Sequence, residues 1–171
     1  MAELEQLQAS HAQAVLAFEL VNRDYFAAAI SDRGDEFFDR FPDHHRAMLA
    51  GQEAGSCAFY VLVGDDGTVL GRFNLYDIED GTARLGYRVA QQAAGRGVAT
   101  EAVQELCRIA ATHLGLRTLR AATSRDNIAS QRVLTKAGFV PIGPATPADL
   151  GGKSGTLYRR EFQPLRLGPE T

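Results

Sequence analysis

The chain has 171 residues, 45% of them hydrophobic and 23% charged, with a net charge of −3 at neutral pH. That length suits one domain over residues 1–171 and buries enough surface to stabilise a core without disulfide or metal staples. The mild acidity excludes a general basic field for nucleic acid or an anionic membrane, and no apolar run reaches the roughly 18 residues that cross a bilayer. Cys57 and Cys107 belong to no Cys-x-x-Cys pair or zinc-type cluster, so they read as free thiols in a reducing cytoplasm and no metal is expected. The opening Met1-Ala2-Glu3-Leu4-Glu5 lacks the basic and apolar regions of a secretory leader, which fits the same compartment.

Residues 4–8 read as an edge strand. Ser10 reads as the N-cap of a helix through Val15, Leu16, Phe18, Leu20 and Val21, which Asn22-Arg23-Asp24-Tyr25-Phe26 continues or closes. Gly34 breaks that pattern, and a second helix opens near Asp35, carries Phe37, Phe38, Phe41, Met48 and Leu49, and is kinked or interrupted by Pro42. The period then changes. Residues 57–63 form an apolar run suited to a buried strand; residues 68–78 and 82–90 form two more, separated by the turn signals Asp65-Asp66-Gly67 and Glu79-Asp80-Gly81. In the second of these strands Val69, Gly71, Phe73 and Leu75 alternate with polar neighbours. Residues 98–114 read as an amphipathic helix with Ala102, Val103, Leu106, Ala110 and Leu114 on one face and Gly115 as its C-cap. A short strand over 118–123, a helix over 127–137 ended by Gly138, and strands over 139–142 and 156–162 complete the order. Residues 144–155 read as a surface loop, and residues 166–171 as a frayed tail. The sum is a mixed α/β domain of antiparallel strands followed by a strand-helix-strand crossover.

The chemistry-bearing stretch is Gln92-Ala93-Ala94-Gly95-Arg96-Gly97-Val98-Ala99-Thr100, where a strand passes through a glycine loop into a helix. Gly95 and Gly97 permit positive φ and leave no Cβ against an approaching oxygen. The first amides of the helix point outward unpaired at the positive end of its dipole, an arrangement that binds phosphate. Arg96 adds a charge-assisted donor. The same glycines also suit a tight turn that binds nothing. No Gly-Lys-Ser/Thr follows, so this is not a Walker loop, and Thr100 stands where a dinucleotide fingerprint has its third glycine.

Gln92-x-x-Gly95-x-Gly97-x-Ala99 resembles the Q/R-x-x-G-x-G/A motif by which enzymes of the GNAT N-acetyltransferase superfamily hold the pyrophosphate of acetyl-CoA. Asn127-Ile128-Ala129-Ser130-Gln131-Arg132-Val133-Leu134-Thr135-Lys136-Ala137-Gly138-Phe139 resembles the family's second cofactor motif, N-x-x-S-x-x-(V/L)-x-x-K-x-G-F. The likeness is closest over residues 68–139, and Asn22-Arg23-Asp24-Tyr25-Phe26, Gly86-Tyr87 and Ser130 make it similar to the branch of ribosomal-protein N-terminal acetyltransferases, the RimJ/RimL-like group. The resemblance implies a GNAT fold: a central, mostly antiparallel sheet splayed at its middle strands, with helices on both faces. It implies an acetyl-CoA-dependent N-acetyltransferase that moves acetyl to a primary amine by direct attack.

By resemblance, Gln92, Gly95, Arg96, Gly97, Val98, Ala99 and Thr100 hold the pyrophosphate, and Tyr87, Arg88 and Val89 on the splayed strand face the pantetheine arm, with Val89 pairing through its backbone. Gly86 alternatively marks a β-bulge in that strand. Asn127 either binds pantetheine through its amide or simply caps the last helix. Ser130 shares its face one turn on and either donates a proton to the leaving thiolate, as the catalytic residue, or is a solvated first-turn serine. Leu134 stands where many relatives have a tyrosine acid, and Arg84 where relatives have a glutamate base. The base is therefore unassigned: Asp77 and Glu79 read as solvated turn carboxylates, while Asn74 and Tyr76 on the substrate side can order a water relay. Backbone N–H groups of the splayed strand supply donors for the developing oxyanion.

His44 and His45 read as surface residues, and Phe37, Phe38 and Phe41 as core packing or acceptor-cleft lining. The acceptor implied first is a protein N-terminal α-amine; a small amine such as an amino acid, polyamine or antibiotic is the alternative. Loss of the usual tyrosine and glutamate also admits a catalytically silent CoA-binding module, and the glycine loop alone an unrelated phosphate-binding domain. A monomer or homodimer is expected, with no direct nucleic-acid or membrane partner.

Overall fold

The computed structural model describes residues 2–163, so the tail expected over 166–171 lies outside the described residues. Seven strands form one sheet: β1 (Glu3–Gln6), β2 (Ala58–Val63), β3 (Val69–Glu79), β4 (Thr82–Val89), β5 (Thr118–Ser124), β6 (Val140–Pro144) and β7 (Gly155–Glu161). Their spatial order is β1-β2-β3-β4-β5-β7-β6. Every neighbouring pair is antiparallel except β4 and β5, which are joined by the long helix α5 (Val98–Thr112) as a crossover.

The helices α1 (Ala12–Val21), α2 (Arg23–Ala27), α3 (Asp35–Asp39) and α4 (Phe41–Glu53) precede β2, and α6 (Ile128–Lys136) follows β5. Alternation along β2 divides the core in two. Ala58, Tyr60 and Leu62 pack with Val103 and Leu106 of α5 and Leu134 of α6, whereas Phe59 and Val61 pack with Val15 and Phe18 of α1 and Phe41 and Met48 of α4. The mixed sheet with helices on both faces is thus present. The buried stripe of α5 is Ala102, Val103, Leu106, Cys107 and Ala110; Leu114 lies beyond the helix end and is partly exposed. Leu106 is wholly buried, so truncation to Ala carries a cost of about 2–5 kcal/mol.

Covering both faces also buries the polar side of β3. Arg72 and Asn74, which alternate with the apolar set, are 3% and 7% exposed rather than solvated. Other local readings need correction. Ser10 is not a cap: residues Ala9–His11 form a single 3-10 turn capped by Gln8, and α1 begins at Ala12. The second helix is interrupted at Arg40, as expected, into α3 and α4; Pro42 sits in the first turn of α4, where its missing N–H is harmless, so it restarts a helix rather than kinking one. Gly86 pairs in regular register with Asn74, so it is no bulge; the irregularity of this pair lies at 76–79, where Asp77 adopts φ 52°. Gly86 is small because a Cβ there would approach the Tyr76 ring to 3.3 Å.

The feature that positions the site is the short contact of β4 with β5. Only Thr82, Ala83 and Arg84 pair across, with Thr118, Leu119 and Arg120. Beyond them β4 stays on β3 and β5 stays on β7, so the sheet splits and residues 85–89 show an unpaired backbone edge to the gap.

Candidate active site

The glycine loop is anchored before it bends. Ala90 N–H donates to Leu70 O at 2.8 Å, and Gln91 N–H donates to Asn22 Oδ1 at 3.0 Å. Asn22 is buried where α1 meets α2, with its Nδ2 donating to Phe18 O at 2.9 Å, so this side chain bolts the first helices to the loop. Gly95 and Gly97 then take φ 75° and 74°, and a Cβ built at either would meet no heavy atom within 4 Å. The earliest paired amide at this end of α5 is Glu101, donating to Gly97 O at 3.1 Å. The amides of Val98, Ala99 and Thr100 are left at the positive end of a fifteen-residue helix.

This end of α5 opens on a cavity of about 550 Å³, walled also by Tyr87 and Val89 of β4 and by Asn127 and Ser130. The open space over both glycines and the bare amides fit a pyrophosphate. Gln92 and Arg96 are exposed beside this cavity and do not line it.

Tyr87, Arg88, Asn127 and Ser130 also line a second cavity of about 520 Å³, so the two meet at the split in the sheet. Tyr87 Oη and Ser130 Oγ lie 2.9 Å apart. Burial pushes the Tyr87 phenol up to about 12, outweighing the bond to Ser130, so the pair keeps its protons at neutral pH. The Tyr87 ring stacks on Phe73 at 5.7 Å, which fixes the hydroxyl. Asn127 does cap α6, its Oδ1 accepting the Ser130 N–H at 3.1 Å. Its Nδ2 has no protein partner among the described residues and stands where both cavities meet. Leu134 is buried in the core.

The second cavity contains Asn74 and Tyr76 together, with Asn74 Nδ2 donating to Tyr76 Oη at 2.9 Å. Asn74 Oδ1 and Thr123 Oγ1 are buried without a protein partner on the same wall. The carboxylate on that wall is Asp149, whose Oδ2 accepts the Thr146 N–H at 3.0 Å and hydroxyl at 2.7 Å. Those bonds hold its carboxyl below the ordinary range, a poor setting for a base. Asp77 is exposed and faces Arg84 at 3.6 Å. Glu79 is also exposed.

Sequence reasoning missed the ionic floor of this cavity. Glu19, 1% exposed, receives Arg72 at 2.7 Å and Arg33 at 3.0 Å, and lies 3.8 Å from Arg88. Burial raises the Glu19 carboxyl, but the bonds from Arg33 and Arg72 outweigh it and hold it below its ordinary value. Burial lowers Arg72, with Glu19 opposing; burial also lowers Arg88, reinforced by Arg33. The available signal was a carboxylate on the apolar stripe of α1, with Val15, Phe18 and Asn22. His45 is likewise buried, not a surface residue, because it faces inward from α4 with Nε2 3.0 Å from Gln8 O. Phe41 belongs to the core under α4, and Phe37 packs against it, away from both cavities.

Residues 3–140 match the family model of the acetyltransferase (GNAT) domain, and the chain belongs to that family. Its relatives make it an acetyl-CoA-dependent N-acetyltransferase. It is 28% identical over 148 residues to the probable N-acetyltransferase YjcK of Bacillus subtilis (strain 168), covering 81% of this chain and 80% of the relative. Among solved structures, the ribosomal-protein-S5-alanine acetyltransferase from Vibrio fischeri has a TM-score of 0.86 at 19% identity, covering 94% of this chain and 92% of the other. RimL, a ribosomal L7/L12 alpha-N-protein acetyltransferase in complex with coenzyme A, has a TM-score of 0.82 at 20% identity, covering 94% and 93%. At these identities the two structures establish the fold. No cluster of His, Cys, Asp and Glu suited to a metal occurs among the described residues, and no helix there is long and apolar enough to cross a membrane.

Proposed function

We propose that the chain acetylates a protein N-terminal α-amine, with the cofactor in the cavity at the start of α5 and the acceptor in the second cavity. The observation that carries this reading is the meeting of the two cavities at Tyr87, Asn127 and Ser130, beside the unpaired edge of β4. Acetyl-CoA supplies a thioester whose carbonyl is open to attack by a neutral amine. The amides of Val98, Ala99 and Thr100 hold the pyrophosphate, with Gly95 and Gly97 giving it room and Gln92 and Arg96 exposed beside it. Val89, with Tyr87 and Arg88, offers backbone groups to the pantetheine arm, and Asn127 offers its free Nδ2.

Ser130, hydrogen-bonded to the Tyr87 phenol 2.9 Å away, donates a proton to the departing thiolate, and the proton shed by the attacking amine restores the pair. Asn74 and Tyr76 order a water that carries off the proton of the amine. The lack of a ready carboxylate base on the wall favours an α-amine as acceptor. Its ordinary pKa of about 7.7–8.0 leaves a usable neutral fraction at pH 7, unlike a lysine at about 10.4.

Thiol release from acetyl-CoA, measured with N-terminal peptides and with free small amines, tests the assignment. Peptide turnover supports it. Turnover of small amines alone replaces the acceptor, and tight acetyl-CoA binding with no turnover on either panel marks a silent binding module.

A further inference from the structure

We propose that the second cavity selects an anionic amine: an acceptor carrying a carboxylate a few bonds from the nitrogen that is acetylated. This rests on the assignment of that cavity to the acceptor. The chain as a whole carries −3, yet this wall is cationic. Arg33, Arg72, Arg84, Arg88 and Lys153 line it, against the single carboxylate of Asp149. Behind the wall, one carboxylate, Glu19, is shared among Arg33, Arg72 and Arg88. Arg84 has Asp77 at 3.6 Å. Crediting Glu19, Asp77 and Asp149 with one cation each leaves two positive charges with no carboxylate among the described residues.

An excess of that kind in a partly closed cavity is costly unless an anion completes it, because guanidinium groups 3 to 4 Å from one carboxylate repel each other through a low dielectric. Cationic acceptors meet the opposite field. A polyamine would add like charge to a wall that already has too much.

The other polar groups of the wall match the remainder of such a molecule. Asn74 Oδ1 and Thr123 Oγ1 are buried acceptors with no protein partner, suited to the N–H groups of an amine. Lys153, whose Nζ donates to Ala29 O at 2.7 Å, ties the loop before β7 across to the segment after α2 and places a charge at the rim. The wall thus offers both acceptors for an amine, Asn74 Oδ1 and Thr123 Oγ1, and cationic donors for a carboxylate, the complement of an acidic N-terminal residue or of a free acidic amino acid.

The test compares kcat/KM for the tripeptide amides Asp-Ala-Ala, Ala-Ala-Ala and Lys-Ala-Ala, for free aspartate, and for spermidine. Asp-Ala-Ala or free aspartate should exceed Ala-Ala-Ala by on the order of tenfold or more, the size of a charge-assisted contact, with the lysine peptide and spermidine lowest. The two acidic probes separate a protein N-terminus from a metabolite. Lys153→Ala and Arg33→Gln, outside the fully buried pair, should bring the acidic-to-neutral ratio toward one. Equal turnover of acidic and neutral acceptors, or preference for spermidine, overturns the proposal.

Calorimetry of the same probes on the CoA-loaded protein reads the cavity without chemistry. Selective binding of the acidic probe without transfer keeps the charge assignment and removes acetyl transfer. Transfer without selectivity does the reverse, and neither transfer nor selective binding removes both.

Discussion

The two cavities that meet at Ser130 are built by different means. The one at the start of α5 is made of backbone: bare amides, two left-handed glycines and a strand edge that lost its partner. The other is made of side chains brought from residues as far apart as Arg33, Arg72 and Lys153. A backbone site is fixed by local conformation and suits a constant ligand. A side-chain site can be rebuilt by single substitutions while the fold stays, which is how one scaffold takes many acceptors.

Substitutions that strike one cavity and spare the other sharpen this contrast. The largest effect is expected from Glu19→Leu, which leaves three arginines facing one another. Removing one partner of a buried pair costs about 3–5 kcal/mol, read as a fall in unfolding free energy in urea. The same contact sets an acid limit. The folded carboxyl of Glu19 is held below its unfolded value, so its stabilisation is complete above the ordinary glutamate range and is lost as pH falls through the folded value. The Glu19→Leu protein should therefore show a shallower loss of stability on acidification than the parent; parallel acid profiles would contradict the ionic account.

Next in size is Gly97→Asp, which puts a carboxylate into the space expected for phosphate. Coenzyme A affinity should fall about 100-fold, or about 2.7 kcal/mol, by calorimetry, in a protein whose circular dichroism is unchanged. Unaltered affinity in the folded variant would remove the cofactor assignment. Asn22→Ala should cost about 1–3 kcal/mol by leaving the Gln91 N–H unpaired, and should raise KM for acetyl-CoA more than it lowers kcat.

Smaller effects are predicted for the Ser130–Tyr87 pair, beginning with Ser130→Ala. A thiol of pKa about 8.5 leaves without much help, so kcat should drop about tenfold with KM for acetyl-CoA little changed. Tyr87→Phe should lower kcat in the same direction but less. Equal losses in kcat and affinity for Ser130→Ala would make the serine a binding residue only.

The contrast also explains what could be read in advance. The strand-loop-helix geometry around Gly95 and Gly97 and the cap at Asn127 were legible because glycine freedom and capping act within a few residues. The order of strands and helices followed from hydrophobic period for the same reason. The roles of Glu19, Arg33 and Arg72 were not legible, because their meeting depends on packing α1 against β3, a contact across 53 positions. His45 misled for a related cause: a polar residue on a helix reads as solvated until the helix face toward β1 and its following turn is known. Pro42 does mark the interruption between α3 and α4, whereas Gly86 was misread, since a strand glycine can relieve a ring contact as well as mark a bulge.

The place of β7 between β5 and β6 has a consequence for how the enzyme comes into being. Chain order and spatial order disagree there, so β6 is made before the strand it rests on. Until residues 155–161 exist, β6 has no neighbour, and β5 touches the sheet through three residues of β4. One bank of the cleft therefore rests on a keystone that lies later in the chain than everything it holds in place. The strand that completes the cleft, β7, carries neither cofactor motif.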